Sequence, residues 1–306
     1  MKTGRKGDPA VADYGSVITA MVTPFDAEGR LDAARAGELA RRLVDAGSDG
    51  IVVAGTTGES PTLTEDERAA LLAAVLDAVG DRVFVWMGTG TNDTATSIRL
   101  TRAAEAQGAH GVMLVTPYYN KPPQAGLLAH FRAVAEATRL PVMIYNVPGR
   151  TGCNLEPATL ARLVEQAPNV VAVKEASGNV DQVGEVRRLL PRPFRVYSGD
   201  DSLLLPILAV GGDGVVSVAS HLVAGELRRM VDAFHAGRVD EAAAIHLRLL
   251  PLFKALFLTA NPIPVKTALR WTGFDAGGFR PPLAEMSQDL AARLRAVMAE
   301  LELLPA

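Results

Sequence analysis

Lys174 follows the apolar run Val170-Val171-Ala172-Val173, close enough to a strand interior for its ammonium to lie out of water. Desolvation disfavours the charged form and lowers a lysine pKa from ~10.4 toward neutrality, and a neutral amine attacks a keto carbon to form a Schiff base. A solvated lysine ending a strand is the plain alternative, so neighbouring strand ends must decide. Forming a carbinolamine and expelling water from it require proton transfers, hence hydroxyls near the amine. Tyr145, Thr56 and Tyr119 are the candidates. Taken singly each has an ordinary explanation: a packed ring with a tethered hydroxyl, or threonines in a glycine turn. All three, however, fall where strands are expected to end. Gly55-Thr56-Thr57-Gly58 also offers N–H groups and hydroxyls to a small carboxylate, while lacking the Lys-Ser/Thr ending of a P-loop.

The remaining motifs carry less. Gly88-Thr89-Gly90 has no third glycine at dinucleotide spacing and reads as a turn. His110, His130, His221, His235 and His246 form no metal-spaced pair and no Asp/Glu cluster suggests a divalent ion, so the expected chemistry needs no metal. Phe253, Leu256, Phe257 and Leu258 read as helix core.

The elements that must position these residues alternate in type. Strands are expected over Val17–Val22, Gly50–Ala54, Val83–Met87, Gly111–Thr116, Pro141–Asn146, Val170–Glu175, Phe194–Gly199 and Gly214–Val218. Helical periodicity fills Asp32–Ala46, Thr64–Val79, Thr94–Gln107, Gln124–Thr138, Glu156–Gln166 and Val180–Leu190. Thr64 with Glu67 forms a capping box ahead of an apolar stripe of Leu71, Leu72, Val75, Leu76 and Val79. Eight strand–helix units match a closed (β/α)8 TIM barrel better than an open doubly wound sheet. The expected layout is an N-terminal tail at residues 1–13, a barrel over 14–221, and a C-terminal helical extension over 222–306 packed on the barrel and broken near Asn261-Pro262-Ile263-Pro264. In such a barrel chemistry sits at the C-terminal strand ends.

Composition narrows the function classes. Of 306 residues, 48% are hydrophobic and 21% charged, which fits neither a disordered chain nor a disulfide scaffold. A net charge of −3, from 31 basic and 34 acidic side chains, argues against a nucleic-acid partner. The one cysteine, Cys153, suits a reducing, cytoplasmic setting. Residues 1–13 lack the apolar segment of a signal peptide, and no later stretch is long and apolar enough to span a membrane.

Seven ordered segments then resemble the dihydrodipicolinate synthase family, within the pyruvate-dependent class I aldolase superfamily that also contains N-acetylneuraminate lyase. They are Thr19–Phe25, Gly55–Ser60, Thr116–Asn120, Tyr145–Gly152, Val173–Gly178, Ser198–Asp201 and Asn261–Lys266. The resemblance implies that Lys174 forms a Schiff base with pyruvate, that Tyr145, Thr56 and Tyr119 relay protons, and that Tyr119 serves a neighbouring subunit's site. It implies that Thr57 holds the pyruvate carboxylate, that the Gly199 and Val216 backbones border the site, and that Arg150 binds the carboxylate of the second substrate. The planar guanidinium fork suits that last task, although a loop arginine after Pro148-Gly149 would otherwise be read as a solvated charge. The implied reaction joins pyruvate to L-aspartate 4-semialdehyde, giving 4-hydroxy-tetrahydrodipicolinate on the way to lysine, in a homotetramer with no cofactor beyond the covalent lysine adduct. Where lysine-inhibited bacterial members carry a histidine and a glutamate, this chain has Glu65 and Thr96, although Ser60, Asn92 and Tyr118 match; weak or absent lysine feedback is therefore expected. The alternatives are a sister aldolase for a 2-keto-3-deoxy sugar acid or sialic acid, which Thr56-Thr57 and Arg150 disfavour, and a non-catalytic keto-acid-binding paralogue, which the full residue set disfavours.

Overall fold

The computed structural model describes residues 14–305; the tail expected over 1–13 lies outside them. Eight parallel strands close in chain order into a barrel. They are β1 (Val17–Ala20), β2 (Gly50–Val53), β3 (Phe84–Gly88), β4 (Gly111–Val115), β5 (Val142–Asn146), β6 (Val170–Glu175), β7 (Arg195–Ser198) and β8 (Gly214–Ser217). Each lies within two residues of its expected bounds. Their β-branched runs are buried almost throughout, as expected of parallel strands covered on both faces.

The crossovers are α1 (Ala33–Asp45), α2 (Glu65–Val79), α3 (Thr94–Ala106), α4 (Gln124–Glu136), α5 (Pro148–Thr151), α6 (Pro157–Gln166), α7 (Val180–Leu189), α8 (Leu204–Ala209) and α9 (Ser220–His235). After them come α10 (Val239–Ala255), α11 (Ile263–Trp271) and α12 (Gln288–Glu300). α2 begins on the anticipated box: Thr64 Oγ1 accepts from Glu67 N while the Glu67 carboxylate accepts from Thr64 N. Leu71, Leu72, Val75 and Val79 are buried, but Leu76 is only partly covered. Two short helices, α5 and α8, carry too few residues to leave a periodic signal in the sequence. The expected boundary at 221/222 falls inside α9, beside the non-helical Val223.

Contacts group the described chain into two units, one running up to Ser16 and over Trp86–Val215, the other over Val17–Val85 and from Val216 onward. In the first, β3 to β8 pair in parallel, with a register shift between Val142 and Met143: Val142 pairs with Val170, but Met143 pairs with Ala172. Val171 is thus an extra residue, and because side chains alternate with period two, the slip decides which faces meet downstream. It places Lys174 opposite Tyr145 and Glu175 opposite Asn146. Ahead of β8, buried Asp213 collects Arg187 at 2.5 Å, Arg195 at 3.2 Å, Arg192, and the Val196 amide at 2.8 Å.

In the second unit α1 packs on α2, α9 on α10, and α12 on α10 and α11. His221 is a core histidine. Its Nδ1 donates to Val218 O and its Nε2 accepts from Val22 N, and burial holds it neutral, with a pKa of about 4. Phe253 and Leu256 are core as expected, whereas Phe257 lies past the end of α10 and is 43% exposed. No helix among the described residues is long and apolar enough to cross a membrane.

Candidate active site

Lys174 is the penultimate residue of β6 and is 5% exposed. Its pKa falls from 10.5 to about 7, first through burial and then through the Arg150 charge, with Asp201 pulling the other way. A group at that value is half neutral near pH 7, the state a nucleophilic amine requires. The nitrogen lies 4.0 Å from the centroid of the Tyr145 ring, and Tyr145 is itself 5% exposed at the end of β5. Gly199, just past β7, donates to Glu175 O at 2.8 Å. A Cβ on Gly199 would stand 2.7 Å from Ala176 Cβ and 3.2 Å from Lys174 Cγ and Cε, so the lysine stem lies directly on glycine backbone.

Consecutive strand residues face opposite ways, so Glu175 points away from the face that carries Lys174. It is buried and accepts from Ser177 N at 2.8 Å, Asn146 Nδ2 at 3.1 Å and Gln182 Nε2 at 3.2 Å. Asn146 Nδ2 also donates to Asn154 Oδ1 at 2.8 Å, and Asn146 Oδ1 accepts from Leu155 N at 2.9 Å. These bonds close the base of the excursion through α5, whose exposed side carries Arg150. The same excursion supports Tyr119: Thr151 O accepts from Tyr119 N at 3.4 Å, and Thr116 Oγ1 donates to Thr151 Oγ1 at 3.2 Å. Tyr119 holds φ +76°, rare for a residue with a Cβ, and its side chain is free in solvent at 89% exposure. The structure thus brings together Lys174, Tyr145 and Gly199, with Arg150 near enough to act on the lysine's charge, and holds Tyr119 outward.

In the second unit Thr56 and Thr57 follow β2 in a tight turn, where Glu59 N donates to Thr56 O and Thr23 Oγ1 donates to Gly58 O at 2.7 Å. Thr57 Oγ1 accepts from Asn261 Nδ2 at 2.8 Å. Glu59 holds φ +53° and pairs with the buried Lys266 of α11 at 3.1 Å; Lys266 Nζ also donates to Thr23 O and Gly278 O, while Arg280 N donates to Glu59. Val216 is buried on β8. Residue types alone pointed to neither the Asn261 and Lys266 braces nor the Glu175 network. The available signal is a glutamate that ends a buried strand directly after a lysine, a placement that demands partners. Among the described residues no group of three or more His, Cys, Asp or Glu is placed to hold a metal ion.

A closed parallel barrel carrying a buried, near-neutral lysine at the end of its sixth strand is a (β/α)8 enzyme equipped for amine chemistry. The chain belongs to the Dihydrodipicolinate synthetase family, whose sequence profile matches residues 13–301. It is 55% identical to the 4-hydroxy-tetrahydrodipicolinate synthase of Nostoc sp. over 295 residues, covering 96% of this chain and all of that one. The enzyme of the same name from Heliobacterium modesticaldum is 58% identical over 283 residues, 92% of this chain and 94% of that one. Among solved structures, the Cyanidioschyzon merolae DHDPS with lysine bound superposes with a TM-score of 0.94 at 48% identity, over 95% of this chain and 99% of that one. The Aquifex aeolicus dihydrodipicolinate synthase gives 0.92 at 42%, over 95% and 99%.

Proposed function

We infer that the protein condenses pyruvate with L-aspartate 4-semialdehyde to 4-hydroxy-tetrahydrodipicolinate, the carbon–carbon bond being made on a lysine adduct. The observation that carries the reading is Lys174, buried at the end of β6 with a pKa near 7 against the Tyr145 ring. Its neutral Nζ adds to the keto carbon of pyruvate. Proton transfer through Tyr145, Thr56 and Tyr119 lets the carbinolamine lose water to the Schiff base. Loss of a methyl proton gives the enamine, which attacks the aldehyde carbon. The amino group of the new chain then displaces the lysine as the ring closes, returning the free amine. Thr57 is assigned to the pyruvate carboxylate, Arg150 to that of the semialdehyde, and the Gly199 and Val216 backbones to the border of the site. No further cofactor enters these steps.

The exposed, strained Tyr119 supports a role in a neighbouring subunit's site, since nothing among the described residues explains holding that ring in solvent at positive φ. That role needs at least a dimer; the homotetramer we assign is the assembly the family resemblance implies, and the lone cysteine suits the cytoplasm. Glu65 and Thr96 support weak or absent inhibition by lysine; half-maximal inhibition below millimolar lysine would sink that assignment.

The deciding experiment couples the condensation to a reductase that consumes the cyclic product, beside a Lys174→Ala control. Borohydride reduction with pyruvate should add one pyruvyl group to the wild type and none to the control. A folded protein with neither turnover nor adduct overturns the reading.

A further inference from the structure

Two pieces of the site come from different segments of chain: the lysine at the end of β6, and the arginine on the excursion that follows β5. That excursion is cinched at its base by the Asn146 carboxamide, and Gln124 holds its outer side through Asn154 O and Glu156 N. Asn146 Oδ1 accepts from Leu155 N, and Asn146 Nδ2 donates to Asn154 Oδ1, so the returning limb is tied to the strand end from which the outgoing limb departs. The carboxamide is in turn clamped by Glu175, the residue next to Lys174 and register partner of Asn146. Gln182 of α7 completes the clamp, donating to both Asn154 Oδ1 at 3.1 Å and Glu175 at 3.2 Å while accepting from Asn154 Nδ2 at 2.8 Å.

We propose that Glu175 is a positioning residue that, through Asn146, fixes the span between the Lys174 amine and the Arg150 guanidinium, and thereby selects the length of the carboxylated aldehyde. The inference rests on the roles assigned above to those two residues. The chemistry favours a carboxylate at this place because every group facing it is an N–H donor, and an ionised carboxylate only accepts. In Glu175→Gln one oxygen becomes an NH2 opposed to other donors. Neither Asn146 nor Gln182 can turn its amide over in relief, because Asn146 Oδ1 is taken by Leu155 N and Gln182 Oε1 by Asn154 Nδ2. The base of the excursion then loosens and Arg150 shifts, while the Lys174 face of β6 keeps its contacts.

The test measures three quantities on the full-length protein: the borohydride-trapped pyruvyl adduct, the KM for pyruvate and the KM for L-aspartate 4-semialdehyde. In Glu175→Gln the adduct should form to the wild-type extent and KM for pyruvate stay within about twofold, while KM for the semialdehyde rises at least about tenfold. In an Arg150→Ala background, adding Glu175→Gln should raise that KM no further, because the group being positioned is already gone. Gln182→Ala, at the half-buried edge of the network, should show the same split more weakly and carries the test if Glu175→Gln does not fold. Equal rises in both KM values, or an effect that multiplies with Arg150→Ala, overturn the inference while leaving the lysine chemistry intact. A wild type that forms no adduct overturns both.

Discussion

Lys174 and Tyr145 are register partners on neighbouring strands, and the lysine nitrogen sits 4.0 Å from the centre of the tyrosine ring. The ring face favours the cation, whereas burial and the Arg150 charge favour the neutral amine; with a pKa near 7 neither form is excluded. Tyr145 thus packs the amine with its ring, and the proposed relay asks its hydroxyl to carry protons for the same amine. Tyr145→Phe separates the two, keeping the ring. The rate of pyruvyl adduct formation, followed by borohydride quench, should fall by about 10²- to 10⁴-fold. A rate equal to wild type would remove Tyr145 from the proton relay.

The pH dependence has a definite sign. Only the neutral amine attacks, so adduct formation at low pyruvate should rise with pH through about 7 and level off above it. Arg150 lowers the lysine pKa and Asp201 raises it. Arg150→Ala should therefore move the midpoint to higher pH and Asp201→Asn to lower pH. Rate profiles between pH 5.5 and 9, about two units either side of the lysine value, decide this; shifts in the opposite directions would contradict the assigned electrostatics.

Stability follows the same linkage. Between about 7 and 10.5 the unfolded chain binds a proton at Lys174 that the folded chain does not, so folded stability rises with pH across that window. Lys174→Met removes the buried amine and should melt above wild type at pH 7. Its advantage should shrink by about 1.4 kcal/mol per pH unit above 7. Urea titrations at pH 7 and 9 read the effect, and a gap that widens with pH would reverse the sign.

Gly199 has no room for a methyl group. In Gly199→Ala either Ala176 or the Lys174 stem must move, since both stand within 3.2 Å of the new carbon. We expect a folded protein whose trapped adduct falls at least about tenfold, the effect of misplacing a reacting group by a fraction of an ångström. Wild-type trapping would mean that the stem repacks freely.

Lys266 and Glu59 are a buried pair beneath the Thr56-Thr57 turn. Lys266→Met leaves the Glu59 carboxylate without its cation and should destabilise the protein by about 3–5 kcal/mol in urea. A loss under about 1 kcal/mol would show that Arg280 N and solvent suffice for Glu59.

Much of this was legible in the residues. The eight strands announce themselves as β-branched runs, and α2 through Thr64 and Glu67, because burial and capping are local properties of sequence. Lys174 stands out for the same reason, as a charge at the end of an apolar run. What stayed hidden depends on register and on partners distant in sequence. Nothing in Val170–Glu175 marks Val171 as the extra residue that brings Lys174 opposite Tyr145. Asn261 and Lys266 reach their partners on the β2 turn across some two hundred positions of chain. Helical periodicity assigns Phe257, Leu258 and Leu76 to the core, but Phe257 and the half-buried Leu258 lie beyond the end of α10 and Leu76 at the margin of the α2 stripe.

The excursion through α5 is fastened on its returning side, at Thr151 by Tyr119 N and Thr116 Oγ1 and at Asn154 and Leu155 by Asn146, whereas at its tip Gly149 has open space where a side chain would begin. Its crown is therefore an interchangeable cassette on a permanent mount. On the role proposed for Arg150, inheritance can rewrite Pro148, Gly149 and Arg150 to suit a new acceptor aldehyde while the lysine, its strand and the barrel beneath pass unchanged from one descendant to the next.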